Sequence, residues 1–267
     1  MGSEFTTSVN IIRDSDRELS YYPTANARQV TSQLVNDFHK GNRAFNIIGS
    51  YGTGKSSFLM ALENSVCGRK QFFNINFLAN PRVEFIKIIG SYTSIIDSFL
   101  EKLEIPSTKN EVEDILMEIY QKYHSLGKRN SLLFIVIDEF GKFLEYASKY
   151  NPEKELYFLQ QLAEFCNNPK HRIVLLTTVH QSFESYAYSL SPSQKQEWIK
   201  VKGRFRELTF NEPVEQLLFL AAEFNSSNTE FRPNKKAISG THKLFSETTM
   251  FQVNPQFTCA FLEKLFP

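Results

Sequence analysis

The sequence has little of what would make a secreted, metal-knit or membrane-spanning protein. Its 267 residues include three cysteines, Cys67, Cys166 and Cys259, odd in number, far apart and set among apolar neighbours. They define no disulfide framework, and neither they nor the five scattered histidines show the short spacing of metal ligands. Buried, reduced thiols and a cytoplasmic setting are the expectation. No apolar run approaches the roughly 18 residues of a membrane span, and no secretory signal opens the chain. A charge excess is missing too. Thirty Lys and Arg stand against 29 Asp and Glu, a net charge of +1, so no overall field draws the molecule to nucleic acid or membrane. A local basic patch is still compatible with that balance. There are no repeats and no low-complexity tracts.

What is present is an ordinary globular composition, 42% hydrophobic and 22% charged, long enough for one large domain or a large and a small one. Met1-Gly2-Ser3-Glu4-Phe5 reads as a cloning remnant and is set aside. At the other end, Ala260 to Pro267 stops within an apolar pattern. A truncated chain is expected from that, with an effector or target-binding part beyond it.

Three of the 11 glycines crowd into one loop. Ala44-Phe45-Asn46-Ile47-Ile48 reads as a buried strand, and Phe58 to about Val66 as an apolar-periodic helix. Between them, Gly49-Ser50-Tyr51-Gly52-Thr53-Gly54-Lys55-Ser56 matches G-x-x-x-x-G-K-[ST], the Walker A phosphate loop. Glycine lets the backbone take left-handed or crowded conformations and bring its N–H groups against phosphate oxygens. The helix beginning near Lys55 points its positive end at the same anion. Gly49 through Ser57 are therefore the candidate ATP-binding residues. Lys55 is expected on the β- and γ-phosphates and the Ser56 hydroxyl on Mg²⁺. A glycine turn matching by chance is the plainer alternative, disfavoured by the strand before and the helix after.

Along the chain, Thr6–Tyr22 is polar and aperiodic. Ala27–Phe38 is a helix ended by Gly41, and Gln71–Phe77 alternates like a second strand. Pro81 to about Leu103 reads as a long helix with Phe85, Ile88, Ile89, Tyr92, Ile95, Ile96 and Phe99 on its apolar stripe. Glu111–His124 is a helix with Ile115, Leu116, Ile119 and Tyr120 facing inward. Ser131–Ile137 is apolar enough for a strand covered on both faces. Helices follow over Gly141–Tyr150 and Glu153–Cys166, then a strand at Arg172–His180. Short helices over Ser182–Leu190 and Ser193–Lys202 lead to a fifth strand at Glu207–Phe210. Only helices are suggested from Glu212 on. The expectation is an α/β fold with a parallel five-stranded sheet sandwiched by helices over residues 6–211, followed by a small helical lid over 212–267.

Asp138 and Glu139 end the third strand, where open α/β sheets bind ligands. In this Walker B pattern Asp138 is expected to hold Mg²⁺ with Ser56, and Glu139 to polarise the attacking water. Two solvated acids at a strand end are the bland alternative. Thr177, Thr178 and His180 end the neighbouring strand, and one of them, taken as Thr178, would orient the lytic water. Spacing does not choose among the three, and a strand end merely meeting solvent reads equally well. Asn74 or Asn76 could hold Glu139 inactive, against the plainer reading of a strand-end amide. Tyr21, Tyr22 and Pro23 are candidates to lie over the adenine, or to pack on their own core. Lys200-Val201-Lys202-Gly203-Arg204-Phe205-Arg206 is basic. Arg204, with Arg206 next, is a candidate arginine finger toward a neighbouring subunit, against a solvated helix end suited to cations.

The order Gly49–Ser56, Ile137-Asp138-Glu139, Thr177-Thr178, then Gly203-Arg204-Phe205 before a short strand resembles the AAA+ superfamily, from about Val30 to Pro267. The Arg204 segment is similar to the arginine-finger box of clamp-loader and origin-recognition ATPases. Gly52–Leu59 and Asp138–Glu145 resemble a group of large bacterial ATP-binding proteins associated with phage-defence and DNA-modification gene clusters. The resemblance implies ATP hydrolysis with Mg²⁺, homo-oligomerisation through the nucleotide site, protein partners of a defence or DNA-processing system, and DNA as a target. One departure stands out. Where AAA+ lids often carry a sensor arginine, Pro255–Pro267 offers only Lys264, so the lid sensor is either missing or comes from Arg232 or from sequence beyond the chain. A nucleotide-locked scaffold with little turnover and a metabolic kinase are the competing readings. Glu139 and the late arginine argue against the kinase.

Overall fold

Five short runs, rich in residues that prefer a pleated and buried setting, build one sheet. They are β1 (Ala44–Ile48), β2 (Arg82–Ile89), β3 (Ser131–Asp138), β4 (Ile173–Val179) and β5 (Arg206–Thr209). All neighbours pair in parallel, in the order β2-β3-β4-β1-β5. The computed structural model describes residues 9–106, 110–127, 130–188 and 190–212. The chain divides into two compact units, Met1–Asn211 and Glu212–Pro267. The expected lid helices, Cys259, Lys264 and Arg232 lie outside the described residues.

A helix, α1 (Ala25–His39), precedes β1. Parallel strands need crossovers, and helices supply them: α2 (Lys55–Val66), α3 (Ile95–Leu103), α4 (Glu111–Ser125), α5 (Gly141–Ala147), α6 (Pro152–Asn167) and α7 (Pro192–Lys202). Side chains alternate across each strand, so the sheet has two apolar faces. Phe45, Ile47, Phe134, Val136, Val174 and Leu176 pack with α1 and α2. Ile135, Ile137, Ile173, Leu175 and Val179 pack with α3 to α7. Every residue of β3 and β4 is buried, as expected for central strands. Among described residues no helix is long and apolar enough to cross a membrane.

Two expected elements are corrected. Gln71–Phe77 is irregular, and the slot beside β3 is filled by Arg82–Ile89, at the start of the stretch read as one helix. The apolar residues of 83–89 satisfy a helical stripe and a two-sided strand alike. Tertiary packing decides, since Ile86 and Ile88 reach one face while Val83, Phe85 and Ile89 reach the other. Lys87, the charged interruption, is answered by Glu63 of α2 at 3.1 Å. Residues 71–80 instead lay Phe73 and Phe77 onto the α1–α2 layer, Phe77 edge-on to Phe38 and Phe134. Two smaller corrections concern exposure: Tyr120 and Cys67 are both exposed rather than buried.

One buried group makes the core acid-sensitive. His171, 3% exposed, sits among Tyr120, Tyr123 and Phe165, and neither ring nitrogen has a partner. Burial first, then the charges of Arg43 and His124, push its pKa down to about 4. The unfolded chain, with an ordinary histidine near 6.5, binds the extra proton first, so stability falls as pH drops from about 6.5 to 4. This group alone should account for about 2–3 kcal/mol over that window. Denaturant midpoints of wild type and His171→Phe at pH 7 and pH 4.5 check it. The substitution should flatten the difference, and parallel losses in both proteins would refute it.

Candidate nucleotide-binding site

The loop after β1 is shaped by its neighbours. The Gly49 N–H donates to the Val179 carbonyl at 3.1 Å, tying the loop to the end of β4. A Cβ on Gly49 would fall on the Phe210 carbonyl, well inside 3.0 Å, so no larger residue fits beside the end of β5. Gly52 and Gly54 take φ of +76° and +83°, the left-handed region that glycine adopts without cost. Gly54 caps α2 without a side-chain acceptor. The first-turn N–H groups of α2 therefore present their donors, and the helix dipole, toward the loop. Ser56 and Ser57 stand in that turn, half-buried, while Ser50, Tyr51 and Gly52 are exposed. Thr53 donates its hydroxyl to Ser50 O at 2.9 Å, closing the loop on itself.

The Lys55 ammonium, 6% exposed, donates to Gly49 O at 2.5 Å and Ser50 O at 2.8 Å, and its Nζ lies 3.4 Å from His180 Nδ1. Burial lowers its pKa, while Asp138 and Glu139 act in the opposite sense. The acid pair from β3 thus lies within electrostatic reach of the loop lysine.

Asp138, 4% exposed, accepts at Oδ1 from the Thr178 hydroxyl at 2.6 Å and from the Glu139 N–H at 3.1 Å. That N–H is shared with Thr178 Oγ1 at 3.0 Å, and Phe140 N–H donates to Thr178 O at 2.9 Å. Glu139 itself takes φ of +54°, unusual for a residue with a side chain. Gly90, just past β2, donates its N–H to Asp138 O at 2.7 Å, and a Cβ there would collide with the Glu139 carbonyl. The Glu139 carboxylate pairs with Lys142 of α5. Gly90 and Lys142 were not among the candidates read from sequence.

Register separates the three strand-end residues. Thr177 opposes Asn46, donates to Phe45 O and Asn46 Oδ1, and is fully buried within the sheet. Thr178, on the other face of the strand, has both hydroxyl functions committed to Asp138 and Glu139 N–H. His180 lies at the loop, its ring stacked on Tyr51 with centroids 3.4 Å apart. An ammonium can only donate, so His180 Nδ1 accepts from Lys55 and the ring proton is assigned to Nε2. That Nε2 is buried without a partner. Burial, then Lys55, lowers the His180 pKa, which keeps the ring neutral.

Other candidates lie elsewhere. Arg204 donates from Nε to Glu164 of α6 at 2.5 Å and from Nη1 to Lys200 O at 2.6 Å. Its carbonyl accepts from Asn167, which holds the backbone at the start of β1, the end of that strand opposite the loop. Arg206 pairs with Asp37, Lys200 with Glu197, and Lys202 with Glu184 and Glu207. Every cation of the basic run is therefore answered within the chain. Asn74 and Asn76 are exposed, and Asn76 meets His39 through its carbonyl. The strand over Gln71–Phe77 on which the reading of an amide holding Glu139 set these two residues is not formed. Tyr21 packs edge-on to Phe72 and Phe73.

No group of three or more His, Cys, Asp or Glu among the described residues could hold a metal by itself. The Asp138 carboxylate and the Ser56 hydroxyl are hard-oxygen groups of the kind Mg²⁺ prefers when it keeps phosphate and water as its other ligands.

No family model and no curated protein matches the chain. Solved structures do. ORC2 of Aeropyrum pernix in its ADP form is 14% identical with a TM-score of 0.52, over 94% of this chain and 63% of that one. PCH-2 of C. elegans is 12% identical (TM-score 0.49), over 91% and 68%. Domain III of Thermotoga maritima DnaA is 13% identical (TM-score 0.44), over 97% and 99%. This chain spans 55% of ORC2 in its ADPNP-ADP complexes. At such identities the likeness is one of fold alone, an α/β fold on a five-stranded parallel sheet.

Proposed function

We propose that the chain is an ATP-binding and ATP-hydrolysing AAA+-like module that works as a switch or motor. The observation that carries this reading is convergence. Lys55 in the glycine loop, the Asp138–Glu139 turn and His180 come from three adjacent strand ends and act on one another electrostatically.

Loop N–H groups, the α2 dipole and Lys55 bind the phosphates. Ser56 and Asp138 would hold Mg²⁺, which when bound would offset the charge of the phosphate oxygens. Glu139 accepts the proton of the attacking water at its carboxylate. Thr178 holds the acid pair in place, and the unpartnered His180 Nε2–H would donate to the terminal phosphate. Arg204 acts in trans within a homo-oligomer, which requires its release from Glu164. The resemblance of Gly52–Leu59 and Asp138–Glu145 supports a role in bacterial anti-phage defence or DNA processing, with protein partners and DNA as targets in the cytoplasm. A second reading, a nucleotide-locked scaffold with little turnover, is favoured by the pairing of Glu139 with Lys142.

Nucleotide binding is tested by titrating labelled ATP and ADP against wild type and Lys55→Met. Removing a charge-assisted donor should weaken ATP by about 10- to 100-fold. Equal affinities in the two proteins would sink the phosphate-loop assignment.

A further inference from the structure

The Glu139 backbone cannot move freely. Its N–H is shared between Asp138 and Thr178, its φ is left-handed, and Gly90 lies against its carbonyl. Only the side chain can swing. That side chain is 39% exposed, and its carboxylate is paired with Lys142, whose side chain is 47% exposed, in the first turn of α5. An ammonium donating to that carboxylate competes for the lone pair a water would use, and a general base must reach the proton it removes. Lys142 also has somewhere else to go. Glu145 lies three residues on along the same helix, within reach on its surface, and already acts on the Lys142 charge.

We propose that Lys142 is a positioning residue that restrains Glu139 and lets hydrolysis proceed when its ammonium moves to Glu145. This rests on the hydrolysis reading above. The site then idles with the base paired and turns over with the lysine shifted by one helical step. An exposed pair is weak, so the restraint is a throttle and not a block.

The test is steady-state hydrolysis and ATP affinity for Lys142→Met, Lys142→Arg, Glu145→Gln and the double variant Lys142→Met/Glu145→Gln. Lys142→Met should raise kcat about two- to fivefold with ATP affinity unchanged. Lys142→Arg, which keeps a cation on Glu139, should stay slow. Glu145→Gln should lower kcat about twofold, and the double variant should match Lys142→Met. A helix merely weakened by substitution would not give opposite signs that vanish together. Equal or lower kcat in Lys142→Met would overturn the throttle while leaving a Glu139-dependent ATPase standing. Bound ATP with no hydrolysis by any variant would overturn the enzyme reading and the throttle with it.

Discussion

Glu139→Gln should lower ATP turnover by about 10²- to 10⁴-fold, the range expected for a positioned base, while ATP affinity changes by no more than a few-fold. Glutamine keeps the size and the backbone contacts. The Glu139 N–H still bonds Asp138 and Thr178, and the Gly90 contact is backbone to backbone. What is removed is the carboxylate charge, and with it the proton acceptor and the exposed ion pair to Lys142. Phosphate release and nucleotide affinity, measured side by side, separate this outcome from a damaged site. Wild-type turnover by the variant would remove Glu139 from the mechanism. Equal, near-zero rates in both proteins would favour the locked scaffold, provided no partner is required. The same variant, holding ATP, is the one in which to measure particle mass. Assembly on ATP that Arg204→Ala weakens would support a finger in trans, whereas a monomer throughout would leave Arg204 as the partner of Glu164 alone.

The loop and the acid pair were legible because their chemistry needs particular residues at short, fixed spacing. Gly49, Gly54 and Lys55 occupy the fixed positions of the G-x-x-x-x-G-K-[ST] pattern, with Gly52 inside it, and Asp138 ends the most apolar run in the chain. Sheet membership was less legible where two periods coincide. Val83, Phe85, Ile86, Ile88 and Ile89 fit a helical stripe as well as a strand buried on both faces, and only pairing with β3 decides between them. The choice between Thr177 and Thr178 depends on the phase of alternation. That phase is set by register against β1 and β3, not by any local signal. Arg204 was legible as a basic residue in a basic run. Its engagement with Glu164, 40 residues away in sequence, was not. Lys142 could have been noticed as the i+3 neighbour of Glu139 at the start of a helix, a spacing that commonly brings side chains together.

Gly90→Ala should cost about 3 kcal/mol of stability and, in whatever protein still folds, impair hydrolysis more than nucleotide binding. The argument is steric. Gly90 has no left-handed φ, so its backbone would tolerate alanine; the objection is the Glu139 carbonyl, where the new methyl group would have to sit. Backbone cannot rotate aside as the tip of a flexible side chain can. Either β2 draws back from β3, breaking the 2.7 Å bond from Gly90 N–H to Asp138 O, or the Glu139 turn moves. The second path displaces the carboxylate that must meet water, and displacement of about 1 Å at a reacting group can cost on the order of 100-fold in rate. The phosphate loop follows β1, separated from β2 by both β3 and β4, and should keep its shape. Denaturant unfolding, ATP affinity and kcat on the same preparation distinguish the cases. Stability and kcat falling with affinity retained is the expected result. A variant as stable and as active as wild type would show that the close approach of β2 to the Glu139 turn is not maintained in the working protein.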